Sequence, residues 1–261
     1  MITINENIHK ITLPYKDIFT TVCTLETEDG VLLFDAASFP EDAEGYILPM
    51  LEKLGVGEKE LKYIFISHNH NDHAGALREL LERFPDVTVL SRSKALKEKY
   101  PEYKVYAPGD GEVFLKVLRV VTIPGHTEDS AAILDTRSNT LVTGDCLQLY
   151  GIFGSGAWGA NISLPVEHIE AVEKVRALGV DAVYTAHDYH PCGTSAKGAA
   201  EVNRMLDSCL EPIETVKRLV RENPGKEDAE IGVLYNSMAE LPRLNTKLVA
   251  AVRDALAKGR M

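Results

Sequence analysis

Residues 67–75 read Ser-His-Asn-His-Asn-Asp-His-Ala-Gly and place His68, His70, Asp72 and His73 within six positions. Imidazoles and carboxylates at this density are the donor set of a divalent metal ion. Zn2+ is the first expectation, and Fe and Mn also suit these donors. In an extended turn, side chains two residues apart project to the same side, so His68 and His70 can hold one ion together. Asp72 and His73 follow once the chain turns and can hold a second ion nearby. One short segment cannot fill two coordination shells. Three further donors offer themselves: His126 in Gly125-His126-Thr127, Asp145 in Gly144-Asp145-Cys146, and His187. Five of the chain's eight histidines fall at these positions. A carboxylate such as Asp145 can bridge two ions, which an imidazole does not normally do.

These residues share a placement at the ends of apolar runs. Tyr63–Ile66 leads into the histidine cluster, Val31–Phe34 into Asp35, Thr140–Thr143 into Gly144-Asp145, and Ala182–Thr185 towards His187. Apolar β-rich runs bounded by turn residues read as buried strands. Open α/β sheets hold their ligands at the carboxyl ends of strands. Around these strands, helical periodicity is expected over 41–54, 74–84, 94–100, 166–178, 196–221 (broken near Pro212) and 246–256, and further strands over 19–25, 87–90, 113–115, 117–123 and 130–134. Residues 150–164 form a Gly-rich loop that holds the only tryptophan, Trp158. Strands then helices, twice over, predict two sheets packed face to face with helices outside: an α/β fold, a four-layer αββα sandwich. No linker divides the chain, so one domain spanning 1–261 is expected, with a helical C-terminal extension from about 195. In that extension, Met205, Leu206, Leu210, Ile213, Val216, Leu219 and Val220 make an apolar stripe. Such a stripe is usually core, with a pocket wall and a homodimer surface as the alternatives.

The 261 residues carry 45% hydrophobic and 26% charged side chains and a net charge of −11. This is a globular composition with material for a sizeable core. The acidic balance argues against nucleic acid as a partner, since phosphate backbones would be repelled. No apolar run reaches membrane-span length, and no basic segment followed by an apolar one marks the first residues. Four cysteines without CxxC spacing read as free thiols, so a cytoplasmic compartment is expected.

His68-Asn69-His70-Asn71-Asp72-His73, Gly125-His126-Thr127, Gly144-Asp145 and His187, in this order, resemble the signature of the metallo-β-lactamase fold superfamily, over about residues 8–190. The resemblance implies that His68, His70 and His126 hold a first metal, that Asp72, His73 and His187 hold a second, and that Asp145 bridges them. It makes Asp35 the group that orients a metal-binding loop. It also makes Asp72 the residue that shuttles a proton. The implied activity is dinuclear metal-dependent hydrolysis. A hydroxide bridging the two ions would attack an ester, thioester, lactone or similar carbonyl of a small molecule. The alternative is an oxidoreductase similar to the mononuclear iron persulfide dioxygenases of the same fold.

Within the family, a β-lactam substrate is disfavoured. One subclass of those hydrolases carries cysteine at the bridging position, which is Asp145 here, and Cys146 falls one residue late. Glyoxalase II, a thioester hydrolase, shares the His-x-His-x-Asp-His and Gly-His-Thr motifs. Lactonases acting on acyl-homoserine lactones use the same seven ligands and a nearby tyrosine, for which Tyr150 and Tyr189 are candidates. The substrate contacts expected from the flanking loops are therefore Tyr150, Trp158, Tyr189 and His190, with Phe153 and Trp158 as an apolar lid. His9 and His168 receive no role, and His168 is expected on the polar side of a helix start.

Overall fold

The computed structural model describes residues 1–152, 159–238 and 243–261. Seven strands run in sequence order across the first sheet: β1 (Ile2–Asn5), β2 (Ile8–Tyr15), β3 (Ile18–Thr27), β4 (Gly30–Phe34), β5 (Leu61–Phe65), β6 (Thr88–Leu90) and β7 (Lys104–Tyr106). The first four pair antiparallel through short turns, and β4 to β7 pair parallel. Parallel neighbours need long crossovers. The first holds a π-helical turn (Ala43–Ile47) and α1 (Leu48–Lys53); the second holds α2 (Asn71–Ala74) and α3 (Leu77–Arg83); the third holds α4 (Lys94–Lys99).

The second sheet is built from β8 (Val113–Phe114), β9 (Leu118–Thr122), β10 (Ala131–Asp135), β11 (Thr140–Gly144), β12 (Gly151–Ile152), β13 (Ala182–His190) and β14 (Gly193–Lys197). Its order is β12-β13-β11-β10-β9-β8, with β14 also paired to β13. The crossover from β11 to its parallel neighbour β13 contains α5 (Pro165–Leu178). The chain then continues into α6 (Gly198–Glu222), α7 (Asp228–Asn236) and α8 (Thr246–Ala257).

The alternation of buried side chains assigns the layers. Ile8, Leu25, Leu32, Phe34 and Phe65 from the first sheet meet Leu118, Val120, Ile133 and Val142 from the second, which makes the inter-sheet core. The opposite face of the first sheet (Leu33, Ile64, Val89) packs on Leu51, Leu77, Leu80 and Leu96 of its crossover helices. The outer face of the second (Leu141, Val183) packs on Val172 and Val175 of α5 and Met205 and Leu206 of α6. These are the four expected layers. A fourth cluster joins Ala160 and Ile162 to α6, α7 and α8 through Ile213, Val216, Ile231, Tyr235, Leu248 and Val252.

Several local expectations are corrected. Pro212 does not break α6, which runs unbroken from Gly198 to Glu222. Proline removes one backbone bond and strains the preceding turn. Here Pro212 is itself buried in the apolar stripe between Cys209 and Val216, so packing on both sides offsets that cost. Residues 196 and 197 belong to β14, and β13 extends to His190, because the two strands pair as a hairpin around Gly193. The helix expected over 74–84 is divided into α2 and α3. The helix expected over 41–54 is present over 41–53, with a π-helical segment at Ala43–Ile47 ahead of α1. No helix among the described residues is long and apolar enough to cross a membrane.

Candidate metal centre

Strand register within each sheet brings distant donors to one end of the sandwich, the first sheet supplying residues 68–73 and the second His126, Asp145 and His187. In the parallel pair β4·β5, Phe34 stands opposite Phe65, so the residues just beyond, Asp35 and Ser67, become neighbours. The Asp35 carboxylate accepts from the Ser67 backbone N–H (2.8 Å), the Ser67 hydroxyl (3.0 Å) and His73 Nδ1 (2.7 Å). Asp35 is fully buried and sits at φ +64°, a left-handed conformation that aspartate tolerates better than most residues. In the parallel pair β11·β13, Gly144 stands opposite Thr185, which sets Asp145 beside the end of β13 and His187. Gly144 has φ +56°, and a Cβ there would fall 2.6 Å from Ser67 Oγ. Glycine is therefore what lets the Asp145 turn close over the histidine loop.

Two groups of donors result, one of His68, His70 and His126 and one of Asp72, His73, Asp145 and His187. In the first, His68 Nε2, His70 Nδ1 and His126 Nε2 form a triangle with sides of 2.9, 3.0 and 3.1 Å. Three nitrogens bound to one tetrahedral zinc would stand about 3.3 Å apart. The remaining nitrogen of His126 donates to the Asn161 carbonyl at 2.6 Å, which turns the lone pair of Nε2 inward. Burial holds His68 well below its ordinary pKa, and it lowers His126 to about 4. These imidazoles are therefore neutral, with lone pairs converging on one point.

In the second group, His187 Nε2 lies 3.0 Å from Asp145 Oδ1 and 3.4 Å from Asp72 Oδ2. His73 Nε2 lies 3.6 Å from Asp145 Oδ1 and 3.7 Å from Asp72 Oδ2. The outer nitrogens are again occupied, His73 Nδ1 by Asp35 and His187 Nδ1 by the Phe19 carbonyl. Burial alone would lower both imidazoles, but the surrounding carboxylates outweigh it. They raise His73 well above its ordinary value and His187 to about 9. Burial likewise would raise Asp72 and Asp145, yet the adjacent imidazoles hold both carboxyls low. His73 Nε2 and Asp145 Oδ1 are buried without a hydrogen-bond partner of their own. Buried polar atoms are costly unless paired, so their convergence fits a cation. The second Asp145 oxygen faces the other group, 4.0 Å from His126 Nε2. The donors present thus fit two divalent ions with Asp145 between them.

A cavity of about 270 Å³ opens over this end of the sandwich. His70, Asp72, His126, Asp145 and His187 form its floor, while Tyr15, Lys16, Ile18, Gln148, Ile152 and Asn161 line its walls. The substrate contacts expected from the sequence are differently placed. Tyr189 is fully buried behind the centre, its hydroxyl accepting from Gln148 Nε2 at 2.9 Å. Tyr150 and His190 pack on each other, with ring centroids 5.7 Å apart, and neither lines the cavity. They sit to one side because β13 continues as a strand to His190 rather than opening into a loop. Trp158 and Phe153 lie outside the described residues. Cys146 is buried, with its thiol against the Ala131 carbonyl at 3.3 Å, as a core residue. His168 is buried too, not on a polar face; its ring lies beneath Gly125. The wall residues Lys16, Gln148 and Asn161 were missed. The only local signal is at Lys16, in a tight turn between two strand patterns.

Among solved structures, a metallo-β-lactamase family protein from Thermus thermophilus superposes with a TM-score of 0.68 at 19% identity, covering 98% of this chain and 95% of that one. A rubredoxin oxygen:oxidoreductase from Desulfovibrio gigas gives a TM-score of 0.66 at 14% identity, covering 95% and 75%. These likenesses concern the fold. In sequence, the chain is 32% identical over 158 residues to a hydroxyacylglutathione hydrolase from Nostoc sp. PCC 7120. That match takes in 58% of this chain and spans 58% of the relative's length. The profile of the metallo-beta-lactamase superfamily matches residues 17–187, the stretch that carries all seven donors, and the chain belongs to that superfamily.

Proposed function

We propose that this chain is a metal-dependent hydrolase of small carbonyl substrates, with a thioester as the first class to test and esters and lactones as the next. The observation that carries the reading is the Asp145 carboxylate, one oxygen towards each donor group, at the floor of an open cavity. Divalent ions held there would polarise a substrate carbonyl and make a water acidic enough to attack it at neutral pH.

The residues of the chain supply the rest. The outer hydrogen bonds of His73, His126 and His187 orient their rings, so little reorganisation is needed on binding an ion. Asp72 lines the cavity beside Asp145 and His187, which places a carboxylate where the proton of the attacking water would be received. Ile18 and Ile152 offer an apolar wall for an acyl chain, and Lys16 offers a cation at the same cavity. A thioester of a peptide with free carboxylates matches that combination, and a named relative acts on an acylglutathione. Zn2+ suits the nitrogen and oxygen donors, and Fe or Mn would as well.

The test is a hydrolysis screen over thioesters, lactones, β-lactams and phosphodiesters, run beside metal quantitation. Two ions per chain with turnover of a carbonyl substrate is the expected result. One iron per chain with oxygen consumption and no hydrolysis would replace the reading with the oxidoreductase alternative.

A further inference from the structure

The superfamily profile ends at residue 187, yet a contact to the metal centre originates well beyond it. Asn245 caps the N-terminus of α8, its Oδ1 accepting from the Lys247 N–H at 3.1 Å. Its Nδ2 donates to Asn161 Oδ1 at 3.2 Å. Asn161 is the residue whose backbone carbonyl receives His126 Nδ1. A third bond holds the same residue: the Asn161 N–H donates to Gln148 Oε1 at 3.0 Å. Gln148 is buried, and its Nε2 donates to the Asp145 carbonyl at 2.8 Å.

Packing presses the same segment into place. A Cβ on Gly159 would stand 1.8 Å from the Arg243 carbonyl oxygen, so the backbones before Asn161 and Asn245 are in direct contact. Ala160 and Ile162 point away from the cavity into the cluster formed by α6, α7 and α8. Residues 159–162 are therefore a strut with the C-terminal helices on one side and His126 on the other. Fixing a residue by its side chain, its N–H and its neighbours fixes the direction of its carbonyl. That direction sets the rotation of the His126 ring.

We propose that the C-terminal helices are a working part of the metal centre, with Asn245 as a positioning residue that acts through Asn161 on His126. The proposal rests on the metal-centre reading above. Gln148 ties the strut to Asp145, so one residue, Asn161, coordinates the aim of a ligand in each half of the site.

The test separates capping from positioning. Serine caps helices about as well as asparagine, so Asn245→Ser keeps the α8 cap but cannot reach Asn161. Asn161→Ala keeps the backbone carbonyl and loses the side-chain contact. Zn2+ affinity is measured by chelator competition, the absorption spectrum is recorded with Co2+, and the Tm of the metal-free protein is taken for each variant. Each single variant is expected to weaken the tighter Zn2+ site about threefold, less than the roughly tenfold or more that follows loss of a group bonded directly to a ligand. Each should also alter the Co2+ spectrum. The double variant should lose no more than either single, because both cut one link. Leu51→Ala, buried in α1 in the helical layer of the first sheet and outside the cluster that holds the strut, should lower the Tm with affinity and spectrum unchanged. Unaltered affinity and spectrum in both single variants, or an equal affinity loss in Leu51→Ala, overturns the proposal. If Asn245→Ser fails to fold, Asn161→Ala, whose α8 cap is intact, decides alone. Wild-type protein that binds no metal would instead defeat the metal-centre reading itself.

Discussion

Two donor groups share one end of the sandwich, each drawing on both sheets, and differ in charge. His68, His70 and His126 bring only imidazoles, which burial keeps neutral. The group of Asp72, His73, Asp145 and His187 brings two carboxylates, which hold protons on the imidazoles they face. The first group stands ready for a cation at neutral pH. The second carries protons on His73 and His187 that it must release before it accepts one. Neighbouring sites built from similar residues can thus differ in affinity and pH response through their net charge alone.

The largest expected effect comes from cutting the link between the groups. Asp145→Ala should reduce turnover by about a thousandfold or more, the scale of losing a principal transition-state stabiliser. Bound metal should fall from two ions to one, retained by the three imidazoles. Kinetics with metal analysis checks this, and full activity in the variant would falsify the two-ion reading. Asp35→Ala acts first on the mixed group, by leaving His73 without its buried carboxylate, and more weakly on the other through the Ser67 hydroxyl that touches His68 Nδ1. Breaking a buried charged pair costs about 3 kcal/mol or more, so a clear drop in denaturation midpoint is expected, with loss of the second ion before the first. An unchanged midpoint would mean that Asp35 does not hold the loop.

The pH response sharpens the contrast further. His187 has a pKa raised to about 9, so it is protonated at neutral pH without metal and loses that proton as pH rises. His73 is held protonated as well, so affinity for the second ion should climb by up to about a hundredfold per pH unit between about pH 6 and 8, two protons being released per ion. His126 has a pKa lowered to about 4 and stays neutral over that range, so affinity at the imidazole group should stay flat. Calorimetric titration in buffers of different ionisation enthalpy would reveal equal slopes if the contrast is wrong. The smallest effect is at the cavity wall. Lys16→Ala should leave both ions in place and raise KM several-fold for a substrate bearing a carboxylate, with kcat kept. Equal KM values for charged and uncharged thioesters would remove Lys16 from recognition.

Much of this centre was legible because its signals are local. His68, His70, Asp72 and His73 lie in one short run, and Asp35, Asp145 and His187 each follow or end an apolar strand pattern. The wall of the cavity was not legible. Gln148 and Asn161 are ordinary amides in the sequence, and they matter only because β11, β12 and α8 meet there. Tyr189 looked like a loop residue because the β13·β14 hairpin depends on pairing, which a single strand's composition does not announce. Pro212 looked like a helix break because local propensity ignores the apolar neighbours that surround it in the fold.

By itself, then, the sequence marked the candidate metal donors and the αββα sandwich, with all but His187, which lies within β13, just past strand ends. Donor chemistry and strand periodicity are properties of short stretches of chain. Only the tertiary structure decided how the donors divide into a neutral and a charged group, which side chains wall the cavity, and that Asn245 reaches the site. Those depend on distances between residues far apart in the chain, such as His126, Asn161 and Asn245, which are set by packing rather than by spacing.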